Sequence, residues 1–161
     1  LLGISGAYPI PYPEASLMTY LQLVWLHLAT VVPAFLIGTW LLARRKGTPR
    51  HRQLGRIYLV LMIATGLTTL FMPAQVGPRF ADHFGFIHSF SVLTLVSAPA
   101  AWIAARHGKV RAHGISMVSL YVGGILIAGA FAFSPGRLLH GWLFSPAPVP
   151  TQVQAGVAGT R

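Results

Sequence analysis

Four long apolar runs, residues 17–43, 53–72, 84–105 and 114–133, constrain this chain more than any other feature. A helix needs about 20 apolar residues to cross the hydrocarbon core of a bilayer. Each run reaches or exceeds that length, and the first is long enough to tilt or to extend beyond the core. Pro33 lies inside the first run, and membrane helices tolerate a kink where neighbours satisfy the freed carbonyl. The expected fold is an all-α membrane protein, a four-transmembrane-helix up-down bundle made of two tandem helix hairpins. Residues 1–16 read as an outer N-terminal segment and 17–133 as the transmembrane domain. "RLLHGWLF" (137–144) is too short to span and reads as part of an interfacial helix over 134–144, anchored by Trp142. Residues 145–161 read as a mobile tail. No signal-peptide pattern stands at the start of the sequence.

Composition excludes the soluble alternative. Apolar residues make up 54% of the chain and charged residues only 9%, against about 25% charged in a soluble domain. A formal charge of +10 raises the question of nucleic acid. The placement of the charge answers it. Arg44, Arg45, Lys46, Arg50, Arg52 and Arg56 follow the first span, and Arg106, Lys109 and Arg111 follow the third, so nine of the 12 Lys and Arg fall on one side. That asymmetry is an orientation signal. It predicts a multi-pass membrane protein with both basic turns on the cytoplasmic side and both termini on the opposite side. Cysteine is absent, which removes disulfides, cysteine-held iron–sulfur clusters and thioether-attached haem.

The two hairpins resemble each other. "LLARRKG" (41–47) aligns with "WIAARHG" (102–108) at an offset of 61, which pairs Ala43, Arg45 and Gly47 with Ala104, Arg106 and Gly108. The same offset places His27 on His88, and one inserted residue places His51 on His113. In an up-down bundle with short turns, helices one and three are diagonal, as are two and four. His27 and His88 would then face each other at an outer level, and His51 and His113 at an inner one. The 17 residues between His27 and Arg44 correspond to roughly 25 Å of helix rise.

Paired imidazoles across a bundle axis are what bis-histidine ligation of haem b requires. The reading therefore places one haem b between His27 and His88 and a second between His51 and His113, with these four as metal ligands. Gly38, Gly55 and Gly124 would leave room for the porphyrins, and Thr30 and Ser91 would help to order the outer site. The inner arginines would pair with propionates. A lone intramembrane His can equally bridge helices by hydrogen bonds, and one in a basic turn can sit near lipid phosphates. His83, His107 and His140 read as structural or solvated. No catalytic residue is assigned.

"HRQLGRIY" (51–58), "FGFIHSFSVLTLVS" (84–97), "RAHGISMVSLYVGGILIAGAFAF" (111–133) and "PGRLLHGWLF" (135–144) resemble a bacterial predicted-membrane-protein family, domain of unknown function 2306, over roughly residues 20–144. That resemblance implies four spans and no particular activity. The histidine layout is also similar to the four-helix di-haem core of cytochrome b561-type proteins, which implies an outer haem on His27 and His88 and an inner one on His51 and His113. The short turns, four spans and lack of an ascorbate-site motif depart from that pattern. The expected function is transmembrane electron transfer through two b haems, exchanging electrons with quinone. The alternative is a haem-free accessory subunit packed against a larger respiratory or photosynthetic complex. A small transporter or proton path on the same histidines ranks below both, because the spans hold no acid to partner them.

Overall fold

The computed structural model describes residues 14–74, 79–80, 83–135 and 138–144. The proposed mobile tail and most of the N-terminal segment lie outside them, as does the side chain of Trp142. Among the described residues, four helices are long and apolar enough to cross a membrane. They are α1 (Glu14–Ala43), α2 (Pro49–Leu70), α3 (His88–Arg106) and α4 (Val110–Ala132). A two-residue antiparallel pairing, β1 (Arg79–Phe80) with β2 (Phe84–Gly85), lies between α2 and α3. A seven-residue helix, α5 (Leu138–Phe144), follows α4.

All four spanning helices begin elsewhere than their apolar runs do, α1 at Glu14 rather than residue 17. Helix α2 starts at Pro49 rather than residue 53, because Thr48 caps it. Its side-chain oxygen accepts from the His51 amide at 3.1 Å, and Pro at the first helical position loses no needed donor. Arg50, His51 and Arg52 are therefore helical and have fixed directions. Helix α4 likewise starts at Val110 rather than 114. Helix α3 starts at His88, because Phe84 and Gly85 are taken by the strand pairing. The repeat survives in the backbone: Gly47 (φ 81°) and Gly108 (φ 66°) both turn the chain with positive φ, which costs glycine least.

Helix α1 packs on α2, α2 on α3, and α3 on α4. Tyr121 of α4 closes the ring by sharing a 2.7 Å hydrogen bond with Thr39 of α1. Helices α1 and α3 are thus diagonal, as expected. The inward stripe of α1 runs Val24, His27, Val31, Ala34, Gly38, Leu41, a three-four spacing that suits left-handed packing of nearly parallel helices. The inward stripe of α3 is small and polar: Ser91, Thr94, Ser97, Ala98, Ala101 and Ala104 are buried. Large apolar side chains such as Trp25, Leu36, Val60 and Val96 point outward, where a bilayer takes them.

At mid-depth the bundle is solid. Tyr58, Met62 and Leu120 are its largest fully buried side chains. A Cβ placed on Gly38 would lie 2.8 Å from the Tyr121 ring and 2.9 Å from the Tyr58 ring. Gly38 is therefore a notch for two tyrosines. Gly38→Ala is expected to destabilise the bundle by about 1–2 kcal/mol through overpacking, measured by reversible unfolding in mixed micelles. Gly55→Ala, where the added carbon meets nothing within 4 Å, is the control and should be near neutral.

Candidate functional sites

The solid layer divides the interior into a cleft at the basic end and a cavity at the far end. Along α2 the cleft reaches Leu59 and the cavity begins at Thr65, so six residues, about 9 Å of rise, separate them.

The basic-end cleft has a volume of about 560 Å³ and is lined by His51, Arg52, Gly55, Arg56, Leu59, Trp102, Ala105, Arg106, His113 and Met117. It falls within the ~300–1,000 Å³ range of ordinary ligand sites. The first turns of α2 and α4 bring His51 and His113 to one space, where both line the cleft. His113 Nδ1 lies 2.9 Å from the Ala101 carbonyl. A carbonyl only accepts, so Nδ1 carries the proton and Nε2 keeps a free lone pair. That second-partner arrangement is how a ligating histidine is oriented. His51 Nδ1 is buried without a partner. Arg52, Arg56 and Arg106 supply positive charge, with no acid among the lining residues.

The far-end cavity is smaller, about 200 Å³, and mostly apolar. All four spans contribute to it, with His27, Thr65, Thr69, Ser91, Thr94 and Gly124 among its walls. His27 thus faces the interior and not lipid. Its Nδ1 meets Thr69 Oγ1 at 3.1 Å. Thr69 gives its single hydrogen to the Thr65 carbonyl at 2.8 Å, so His27 Nδ1–H donates and Nε2 remains an acceptor. Thr65 in turn donates to Thr30 at 2.9 Å, and Thr30 donates to the His27 carbonyl at 2.9 Å.

His88 is used differently. Its Nδ1 accepts from the Gly85 amide at 3.0 Å, and Nε2 therefore donates to the Met72 carbonyl at 3.1 Å. His83 Nε2 donates to the Leu70 carbonyl at 2.8 Å. His83 thus satisfies the Leu70 carbonyl, which the end of α2 leaves without an intrahelical partner, and His88 the Met72 carbonyl two residues beyond it. Each ring nitrogen of His88 is occupied by backbone. A haem between His27 and His88 would have to displace the Met72 bond and fit a cavity below the usual ligand range. The far level does not suit that group.

The three glycines also part company. Gly38 receives Tyr58 and Tyr121, and Gly124 receives Thr94 and Met62. Of the three, only Gly55 has nothing within 4 Å of an added Cβ, and it lines the basic-end cleft. Among the described residues, no group of three or more His, Asp or Glu side chains gathers at one point. A bare ion would find too few ligands, whereas a haem brings four of its own and needs two from the protein. Thr65 and Thr69 were not singled out from the sequence, although their four-residue spacing puts them on one face of α2.

A family model described as Predicted membrane protein (DUF2306) matches residues 24–138. That span takes in the lining of both spaces apart from Tyr20 and Leu139. No curated protein and no solved structure matches the chain.

Proposed function

Since this chain belongs to the predicted membrane protein family DUF2306, we propose a function set within a bilayer: electron transfer through one b haem held between His51 and His113. The observation that carries the proposal is the meeting of two inward imidazoles, one pre-oriented by Ala101, at an acid-free cleft with three arginines. When bound, haem would supply one-electron chemistry between its ferric and ferrous states. The residues of the chain do the rest. His113 enters with Nε2 bare, and the orphaned imidazole of His51 gains a role. Arg52, Arg56 and Arg106, which line the cleft, would neutralise the propionates. Gly55 leaves the wall of α2 open, and Leu59 and Met117 exclude water from the deep side. The two-haem expectation narrows to this site.

The test is haem content. Protein produced with haem supplied should purify coloured, with one b haem per chain by pyridine haemochrome. Colourless protein would leave the accessory-subunit reading, which the outward apolar surface also suits.

In this proposal the basic end faces the cytoplasm of a bacterial inner membrane. The chain has no cysteine, so single introduced ones report cleanly. Cysteine at Thr48 should be labelled only from the cytoplasmic side and cysteine at Phe84 only from the opposite side. Labelling of both from one side would remove the orientation.

A further inference from the structure

The far-end cavity holds an unexplained group. Ser91 is only 3% exposed, and its Oγ is buried with no hydrogen-bond partner. Several other helical hydroxyls bond back to carbonyls of their own helix: Thr30 to His27, Thr39 to Phe35, and Thr68 and Thr69 to Thr65. Ser91 does not, although its helix offers the same option. An unmet hydroxyl costs about 1–3 kcal/mol when buried in a protein interior, and a bilayer provides no water to relieve it. Ser91 lines the cavity from α3, and His27 lines it from the diagonal helix α1, with Nε2 as the acceptor nitrogen of its ring.

Size and chemistry narrow the ligand. A cavity of about 150 Å³ takes a benzene ring, and this one offers about 200 Å³, room for a ring with oxygen substituents. No Lys, Arg, Asp or Glu lines it, so the ligand is neutral. It lies at span depth, so the ligand arrives through lipid. Its α4 wall includes Gly124 and Ile125 of a π-helical stretch, Val122–Ile127, a rare distortion that is frequent at functional sites.

We infer that this cavity binds the head ring of a membrane para-quinol, one ring hydroxyl donating to His27 Nε2 and the opposite oxygen accepting from Ser91 Oγ–H. The inference names a partner for the membrane function proposed above but rests on separate residues. Thr69 and Thr65 act as positioning residues, because they fix the His27 tautomer.

The experiment is calorimetric titration of the protein in nanodiscs with a short-tailed benzoquinol kept reduced, and with its dimethyl ether, which has the ring without O–H donors. The wild type should bind the quinol saturably and the ether at least several-fold more weakly. Ser91→Ala, which keeps the volume, should weaken quinol binding about 2- to 12-fold, the range corresponding to one neutral hydrogen bond. Gly129 lines the cavity, and a Cβ there meets nothing within 4 Å. Gly129→Leu should therefore fold, as judged by circular dichroism, and lose quinol binding. His113→Ala should bind quinol like the wild type, so that a failed haem site cannot be mistaken for a failed quinol site. No saturable binding, equal binding of quinol and ether, or unchanged binding in Gly129→Leu would overturn the inference and leave a hole filled by water or lipid.

Discussion

Replacing His113 with Ala is expected to empty the basic-end cleft of haem. The variant would lack one of the two imidazoles proposed to hold the haem, and with it the ring that bonds the Ala101 carbonyl at 2.9 Å. Losing only an outer partner costs a metal site about 10- to 100-fold in affinity, so losing a ligand should cost more. The check is the Soret band per mole of purified protein, which should fall from about one haem per chain to nearly none. His51→Ala should do the same. His88→Ala should not, since that ring already serves the Gly85 amide and the Met72 carbonyl. Its loss should show as a looser connection between α2 and α3, read as faster proteolysis there, with the haem spectrum intact. Loss of the spectrum in His88→Ala with retention in His113→Ala would reverse the assignment of levels.

The second large effect belongs to the solid layer. Leu120 is 0% exposed and packs within the cluster containing Tyr58 and Met62. In soluble proteins Leu→Ala in a core costs about 2–5 kcal/mol, part from transfer and part from the cavity left behind. Helices already in lipid gain little from transfer, since acyl chains are as apolar as leucine. The cavity and lost dispersion remain, so Leu120→Ala should cost about 2 kcal/mol, near the low end of that range. Leu126→Ala, at a position 46% exposed on the outer surface, should cost a small fraction of this. Both are measured by reversible unfolding in the same micelles. Equal costs at the two positions would mean that the layer is not the packed core.

Some of this architecture was legible in the sequence. The number of spans and the basic turns follow from hydropathy and charge, which act over some 20 residues and survive local detail. The histidine pairing at the basic end was also legible, because two short turns force the starts of α2 and α4 to one side. The starts of α2 and α4 lie four residues earlier than hydropathy alone suggests, at Pro49–Arg52 and Val110–His113, because the charge there belongs to the helix and not to the turn. The cap at Thr48 and the proline after it carried the right boundary. His88 was opaque for a different reason. Its partners are the amide of Gly85 and the carbonyl of Met72, and no side-chain pattern records a backbone bond. Gly38 and Gly124 looked like cofactor notches, but what fills a notch is decided by a distant helix, here Tyr58, Tyr121, Thr94 and Met62. Ser91 was noticed as an ordering group for an outer haem. Its isolation appears only once the cavity around it is known.

The central claim is that one iron is held by two imidazoles at the basic end. Low-temperature electron paramagnetic resonance of the ferric wild-type protein, reconstituted with haemin, tests it most directly. The account predicts a single six-coordinate low-spin signal of the bis-imidazole type, integrating to about one spin per chain and absent in His51→Ala and His113→Ala. A high-spin signal alone, two low-spin signals of equal weight, or a low-spin signal that persists in both variants would contradict it.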